Sequence, residues 1–146
     1  MKFTCQIDIQ KPIDELVELF TEPENLKEWQ DGFQRLEHVS GKPGEVGAVS
    51  HLIYIMRGKE ELIEETLNTM NLPHEMSGTY IHRHMSNTMK VEFEALDKET
   101  TRYTNHIHYT QFNGFMINVM AKLMPGMFKK QVQKWQDQFK AFAERS

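Results

Sequence analysis

Between Phe33 and Phe112 the chain alternates short apolar-rich segments with turns, and no gap is long enough for a helical crossover. A parallel pair needs a dozen or more connecting residues, so parallel pairing is excluded and an antiparallel meander remains. The segments run over 33–39, 47–57, 61–70, 76–82, 89–95 and 101–112, six in all. Turn chemistry separates them: Ser40-Gly41-Lys42-Pro43-Gly44, Arg57-Gly58-Lys59, Pro73 and Asp97-Lys98-Glu99. Met89, Val91, Phe93 and Ala95 alternate with Lys90, Glu92 and Glu94, which predicts a strand with one buried face. Phe3, Cys5, Ile7 and Ile9 alternate with Thr4, Gln6, Asp8 and Gln10 in the same way and add a seventh strand. Pro12 ends that strand and suits the first turn of a helix carrying Ile13, Leu16, Val17, Leu19 and Phe20. Pro23 stops this helix and opens a second, through Leu26 to Trp29.

After Phe115 the apolar period changes to that of a helix. Phe128, Val132, Trp135, Phe139 and Phe142 form one stripe, with Lys129, Lys130, Gln133, Gln136 and Lys140 off it. Burying five such side chains stabilises by about 1.5–3 kcal/mol each, and the concave face of the meander is the available partner. The expected fold is therefore α+β. A curved seven-stranded antiparallel sheet carries two short helices after its first strand, and a long C-terminal helix packs across the concave face. One domain over 1–146 accounts for the chain, which has no internal repeat, low-complexity stretch or linker.

Composition narrows the function classes. A chain of 146 residues buries enough surface to fold without a disulfide or metal, and its lone Cys5 suits a reducing compartment. The alternating N-terminus resembles neither a signal peptide nor a membrane anchor, so a cytoplasmic location is expected, without stable membrane insertion. A formal net charge of −4 argues against nucleic acid. No glycine-rich phosphate loop, Cys-x-x-Cys pair or supported Ser-His-Asp order occurs, and no cofactor is implied.

Local wording carries a family resemblance along nearly the whole chain. Pro12 to Phe20 resembles a P-x-x-x-V-W-x-x-F first helix, and Pro23 to Trp29 a D-P-x-x-x-x-W second one. Gly41 to Gly47 resembles a G-x-P-G-x-V-G turn, and Glu65-Thr66-Leu67 with Pro73 to Met76 an E-x-V … P-x-x-L strand and turn. Phe139 to Glu144 resembles a closing L-K-x-x-x-E. In this order the segments resemble the START-like or SRPBCC superfamily, the helix-grip fold of polyketide cyclase/dehydrase-like proteins, birch-pollen allergens and lipid-transfer domains. The resemblance implies an internal apolar cavity. It does not choose among binder, transfer protein, enzyme and protein-partner module.

Within that expectation the cavity is lined by inward positions of the strands and by the N-terminal half of the long helix. The strand positions are Glu65, Leu67, Met89, Val91, Phe93, Tyr103, Asn105, Ile107 and Tyr109. The helix positions are Phe115, Met116, Val119, Met120, Leu123, Met124 and Phe128. The segment from Phe115 to Phe128 is apolar nearly all round, with only Asn118 and Lys122 polar, and such a helix is normally buried. Its methionines suit a wall that re-packs around varied shapes, or a core, or a homodimer patch. Pro125-Gly126 predicts a kink or break. Glu65, between Ile63 and Leu67, is the one candidate catalytic group if it faces inward, since a carboxyl in apolar surroundings has a raised pKa; a register slip of one residue would turn it out. Asn105, polar between apolar neighbours, needs a partner. His82 with His84, and His106 with His108, read as surface histidines, and no metal is expected. Cys5 reads as a small buried hydrophobe. The favoured function is binding or transfer of a small hydrophobic molecule: a lipid, a polyketide-like aromatic or an isoprenoid. A cyclase, dehydratase or hydrolase using Glu65, Tyr103, Asn105 or Tyr109 is the alternative, and a protein-interaction module the second.

Overall fold

The computed structural model describes residues 1–146. Seven strands form one antiparallel sheet in the order β1-β7-β6-β5-β4-β3-β2. They are β1 (Lys2–Ile9), β2 (Phe33–Ser40), β3 (Val49–Met56), β4 (Lys59–Asn71), β5 (Glu75–Ile81), β6 (Met85–Ala95) and β7 (Thr101–Phe112). Consecutive strands pair from β2 to β7, as turn-length connections require, and β1 closes the far edge against β7. Helices α1 (Ile13–Thr21) and α2 (Leu26–Trp29) follow β1, joined by a 3₁₀ turn at Pro23–Asn25. Two more, α3 (Phe115–Leu123) and α4 (Gly126–Glu144), follow β7.

Curvature comes from interruptions of register. The ladders slip between Phe33 and Arg35, between His38 and Ser40, between Leu67 and Thr69, and between Ser86 and Asn87. Each bulge bends its strand and adds twist, so the sheet wraps towards α4. At the β2 edge, Gly32 is obligatory. Its φ is 79°, and a Cβ there would lie 2.3 Å from the carbonyl oxygen of Ile55.

The stripe on α4 meets the concave face. Phe139, fully buried, packs with Phe20, Trp29 and Tyr103, and Phe20 also contacts Phe93. Ile9, Leu16, Val91 and Ala143 complete this cluster. Polar ties fix the helix along β1: Gln136 Nε2 donates to the Cys5 carbonyl at 3.1 Å, and Lys140 Nζ to that of Asp8 at 2.6 Å. Cys5 is buried there, and burial pushes its thiol pKa up.

The C-terminal helix is not continuous. Met124 leaves helical geometry, with φ −135° and ψ 58°, and Pro125 caps α4. This break has a consequence for the segment expected to be buried on all sides. Isolated from α4, α3 sits at the end of β7 and has no fully buried residue. Phe115, Met116, Leu123 and Met124 face solvent, not the grip, while Val119 and Met120 are half-buried.

Candidate functional site

Strand register assembles the concave face into cross-strand rows. Cys5, Asn105, Val91 and Met76 are direct partners on β1, β7, β6 and β5. The next row towards α3 holds Phe3, Ile107, Met89, Gly78 and Leu67. Beyond it comes a row of different character: Tyr109, Asn87, Tyr80, Glu65 and Ser50, one each from β7, β6, β5, β4 and β3. Five adjacent strands thus place a polar atom at the same level of the sheet, facing α4.

The two ends of the grip are filled differently. Tyr103 and Phe93 lie in the aromatic cluster and are buried, as are Val91, Ile107 and Leu67. Every member of the Tyr109 row, and Met89 beside it, keeps some accessible surface although it faces the helix. Packed interiors leave almost none, so this end of the grip is less closely packed than the aromatic end. Gly78 contributes to the space. A Cβ there would lie 3.1 Å from the ring edge and hydroxyl of Tyr80. Phe128 roofs one side by packing edge-on to Tyr109 and against Phe112, and Trp135 stacks over Tyr54 on the other.

Electrostatics follow from this enclosure. Burial raises the Glu65 pKa above the usual carboxyl value, and the Tyr80 hydroxyl against it opposes the rise in part. Tyr80 is itself pushed well up, by burial first and then by the adjacent Glu65 carboxyl. Tyr54 is raised by burial and donates to Gln30 Oε1 at 2.6 Å. Burial also raises Tyr103 and pushes Tyr109 up to about 12. The result is an array of neutral hydroxyls and one carboxyl inclined to hold its proton. Asn105 reaches the Tyr103 hydroxyl, but its Oδ1 is buried without a protein partner.

Of the expected lining, Glu65, Leu67, Met89, Val91, Phe93, Tyr103, Asn105, Ile107, Tyr109 and Phe128 share the grip interior, with Val91, Phe93 and Tyr103 in its packed half. Tyr80, Ser50, Tyr54 and Trp135 belong with them, and no local sequence signal marks them for the site. Tyr80 lies in the least regular strand segment, and Trp135 reads first as core. The histidines lie elsewhere. His106 pairs with Glu92 at 2.6 Å on the outer face, and His82 meets Glu61 at 2.9 Å. Two open depressions, of about 570 and 580 Å³, are also outside the grip. One lies on the convex side around Thr4, Ser77, Lys90 and His106; the other surrounds Glu61, His82 and Arg83.

Solved structures share this architecture. The Zhui aromatase/cyclase from Streptomyces sp. R1128 superposes with a TM-score of 0.80 at 9% identity, over 99% of this chain and 94% of that one. A conserved protein from Geobacillus kaustophilus gives 0.82 at 10% identity, over 100% and 97%. Major latex-like protein 151 from Panax ginseng gives 0.69 at 14% identity, over 98% and 97%. Such low identities establish a shared fold only. No curated protein matches by sequence. The sequence signature of one family, however, matches residues 1–144. With that match and the helix-grip architecture in hand, the chain belongs to the family of polyketide cyclases/dehydrases and lipid transport proteins.

Proposed function

We propose that this chain binds a small, largely apolar molecule with at least one hydroxyl or carbonyl group, held between the Tyr109 row and α4. The observation that carries the reading is the polar row itself, on the concave face yet partly accessible. Ligand sites are mostly apolar with a few convergent polar groups that set orientation. Here Leu67, Met89, Ile107 and Phe128 supply apolar surface, while Glu65, Tyr80 and Asn105 supply hydrogen bonds. Trp135 and Tyr109 favour an aromatic ligand over a purely aliphatic chain, since ring faces and edges reward offset stacking.

The test is a fluorescence titration of the purified protein with anilinonaphthalene sulfonate and with 2-naphthol, repeated on Met89→Trp. Saturable binding by the native protein, weakened about tenfold or more by filling the space at Met89, is expected. Absence of saturable binding to either probe overturns the reading. Circular dichroism of the variant separates blocked binding from lost folding.

A cyclase or dehydratase activity is the second reading, favoured by one observation: Glu65 is a carboxyl inclined to stay protonated beside the Tyr80 hydroxyl. Such a group can give its proton to a departing hydroxyl and take one back from carbon. If that is its role, Glu65→Gln abolishes turnover and keeps ligand affinity. Equal turnover by the variant removes Glu65 from the chemistry.

A further inference from the structure

The exposed side of α3 has no role in the grip. Phe115 is 83% exposed, Met116 78% and Leu123 75%, with Met124 and Met127 also open. Five large apolar side chains at one end of a small protein form a contiguous patch of the kind that marks a contact surface. Along the chain the charge around the patch is basic, whereas Glu60, Glu61 and Glu64 lie with Asn113 at the foot of α3. From Thr100 to Gln136 the chain has no acidic residue, although its overall formal charge is −4. Lys122, Lys129 and Lys130, flanking the patch, are exposed and form no ion pair. The helix is tethered. Asn118 Nδ2 donates to the carbonyls of Gly114 at 2.7 Å and Phe112 at 3.2 Å, holding its first turn on the end of β7.

We infer that α3 docks reversibly on an anionic lipid surface, with Phe115, Met116, Leu123 and Met124 entering the acyl boundary and Lys122, Lys129 and Lys130 on the headgroups. Apolar residues beside lysines, on a short helix, are the composition of an interfacial segment. No helix of the protein is long and apolar enough to cross a membrane, so the contact is peripheral. Charge decides against a second copy as the occupant. A two-fold contact sets each patch on itself and brings lysines that have no ion pair of their own against lysines. Docking by α3 also turns the less closely packed end of the grip to the lipid, since Phe112, at the base of α3, stacks on Tyr109.

The test is co-flotation of the full chain with vesicles of phosphatidylcholine alone or mixed with phosphatidylserine, at low and high salt. The native chain is expected to float with the mixed vesicles, weakly with the neutral ones, and less at high salt. Lys122→Gln, Lys129→Gln and Lys130→Gln together should weaken binding about a hundredfold, at about fivefold for each lysine. Phe115→Ser with Leu123→Ser should abolish it while leaving the melting temperature unchanged, because both side chains already face water. Failure to bind the mixed vesicles, or equal binding by the serine variant, overturns the inference. So does a concentration-dependent dimer that the serine variant dissolves, which would assign the patch to a second copy. Naphthol binding in solution reports on the grip alone, so loss of one property does not imply loss of the other.

Discussion

Glu65→Gln isolates the energetic consequence of placing a carboxyl in the grip. In the native protein burial raises the Glu65 pKa above its ordinary 4.5, whereas the unfolded chain titrates near that ordinary value. Below 4.5 both states carry the proton and the group contributes nothing to pH dependence. As pH rises past it, the unfolded state ionises first, holds fewer protons than the native state, and gains the advantage. Native stability therefore falls from about pH 4.5 up to the raised native value and is level above it. Each unit of elevation costs about 1.4 kcal/mol at neutral pH. Glutamine keeps the shape and an acceptor for the Tyr80 hydroxyl but cannot ionise. At neutral pH the variant should melt higher than the native chain by about 3–6 °C for each unit of elevation, taking about 2–4 °C per kcal/mol for this size. Calorimetry of both proteins from pH 4 to 8 makes the comparison. The curves should meet at the acid end and separate upwards. Curves that coincide throughout would show that Glu65 is solvated, and a variant less stable than the native chain at neutral pH would mean that the carboxylate is held by a cation.

Other perturbations read the frame and the site separately. Phe139→Ala removes the ring at the centre of the aromatic cluster and should cost about 3–5 kcal/mol in urea unfolding. Gln136→Leu deletes the buried bond to the Cys5 carbonyl and should cost about 1–3 kcal/mol, with ligand affinity measured on the folded fraction unchanged. Gly78→Ala puts a methyl 3.1 Å from the Tyr80 ring and hydroxyl and 3.2 Å from the Thr66 carbonyl oxygen. Tyr80 must then shift, and naphthol affinity should fall several-fold with the fold intact by circular dichroism.

Much of the frame was readable because its signals are local. The alternation over Met89 to Ala95 names its own buried face, and the stripe from Phe128 to Phe142 does the same for α4. The site needed a relation that no single strand carries. Glu65 joins the interior only through its pairing with Tyr80 and Ser50, and the ladder slips just beyond it, between Leu67 and Thr69. A slip of one residue reverses the facing of a strand, so alternation alone left its side open. Tyr80 was hidden by Gly78, which interrupts the alternation of β5 and yet makes the room that the ring uses. For α3 the rule itself misled. Apolar residues on every side imply burial for a helix packed within a protein, but the break at Pro125 leaves α3 outside the grip.

The fully buried polar residues show why the less closely packed end is better explained by binding than by folding. Thr101, Gln136 and Asn105 are the three. Thr101 donates to the Lys11 carbonyl at 2.8 Å and Gln136 to that of Cys5, so both hold the frame together. Asn105 Oδ1 has no protein partner, and Asn105 lies beside Tyr103 on one side and Ile107 on the other. A buried acceptor left unpaired costs about 1–3 kcal/mol, and a buried carboxyl adds the pH-dependent penalty derived above. Leucine at either position would pack against Val91 or Leu67 without those costs. Both expensive groups face the grip, Glu65 at its less closely packed end and Asn105 two rows in; the Asn105 amide reaches the Tyr103 hydroxyl of the aromatic cluster, but its Oδ1 stays unpaired. Structural necessity does not account for them, whereas a ligand donor near Asn105 and a ligand oxygen near the protonated Glu65 would offset both penalties at once. On that reasoning Asn105→Leu should stabilise the free protein and weaken naphthol binding, and a variant that loses stability while keeping affinity would return Asn105 to the frame.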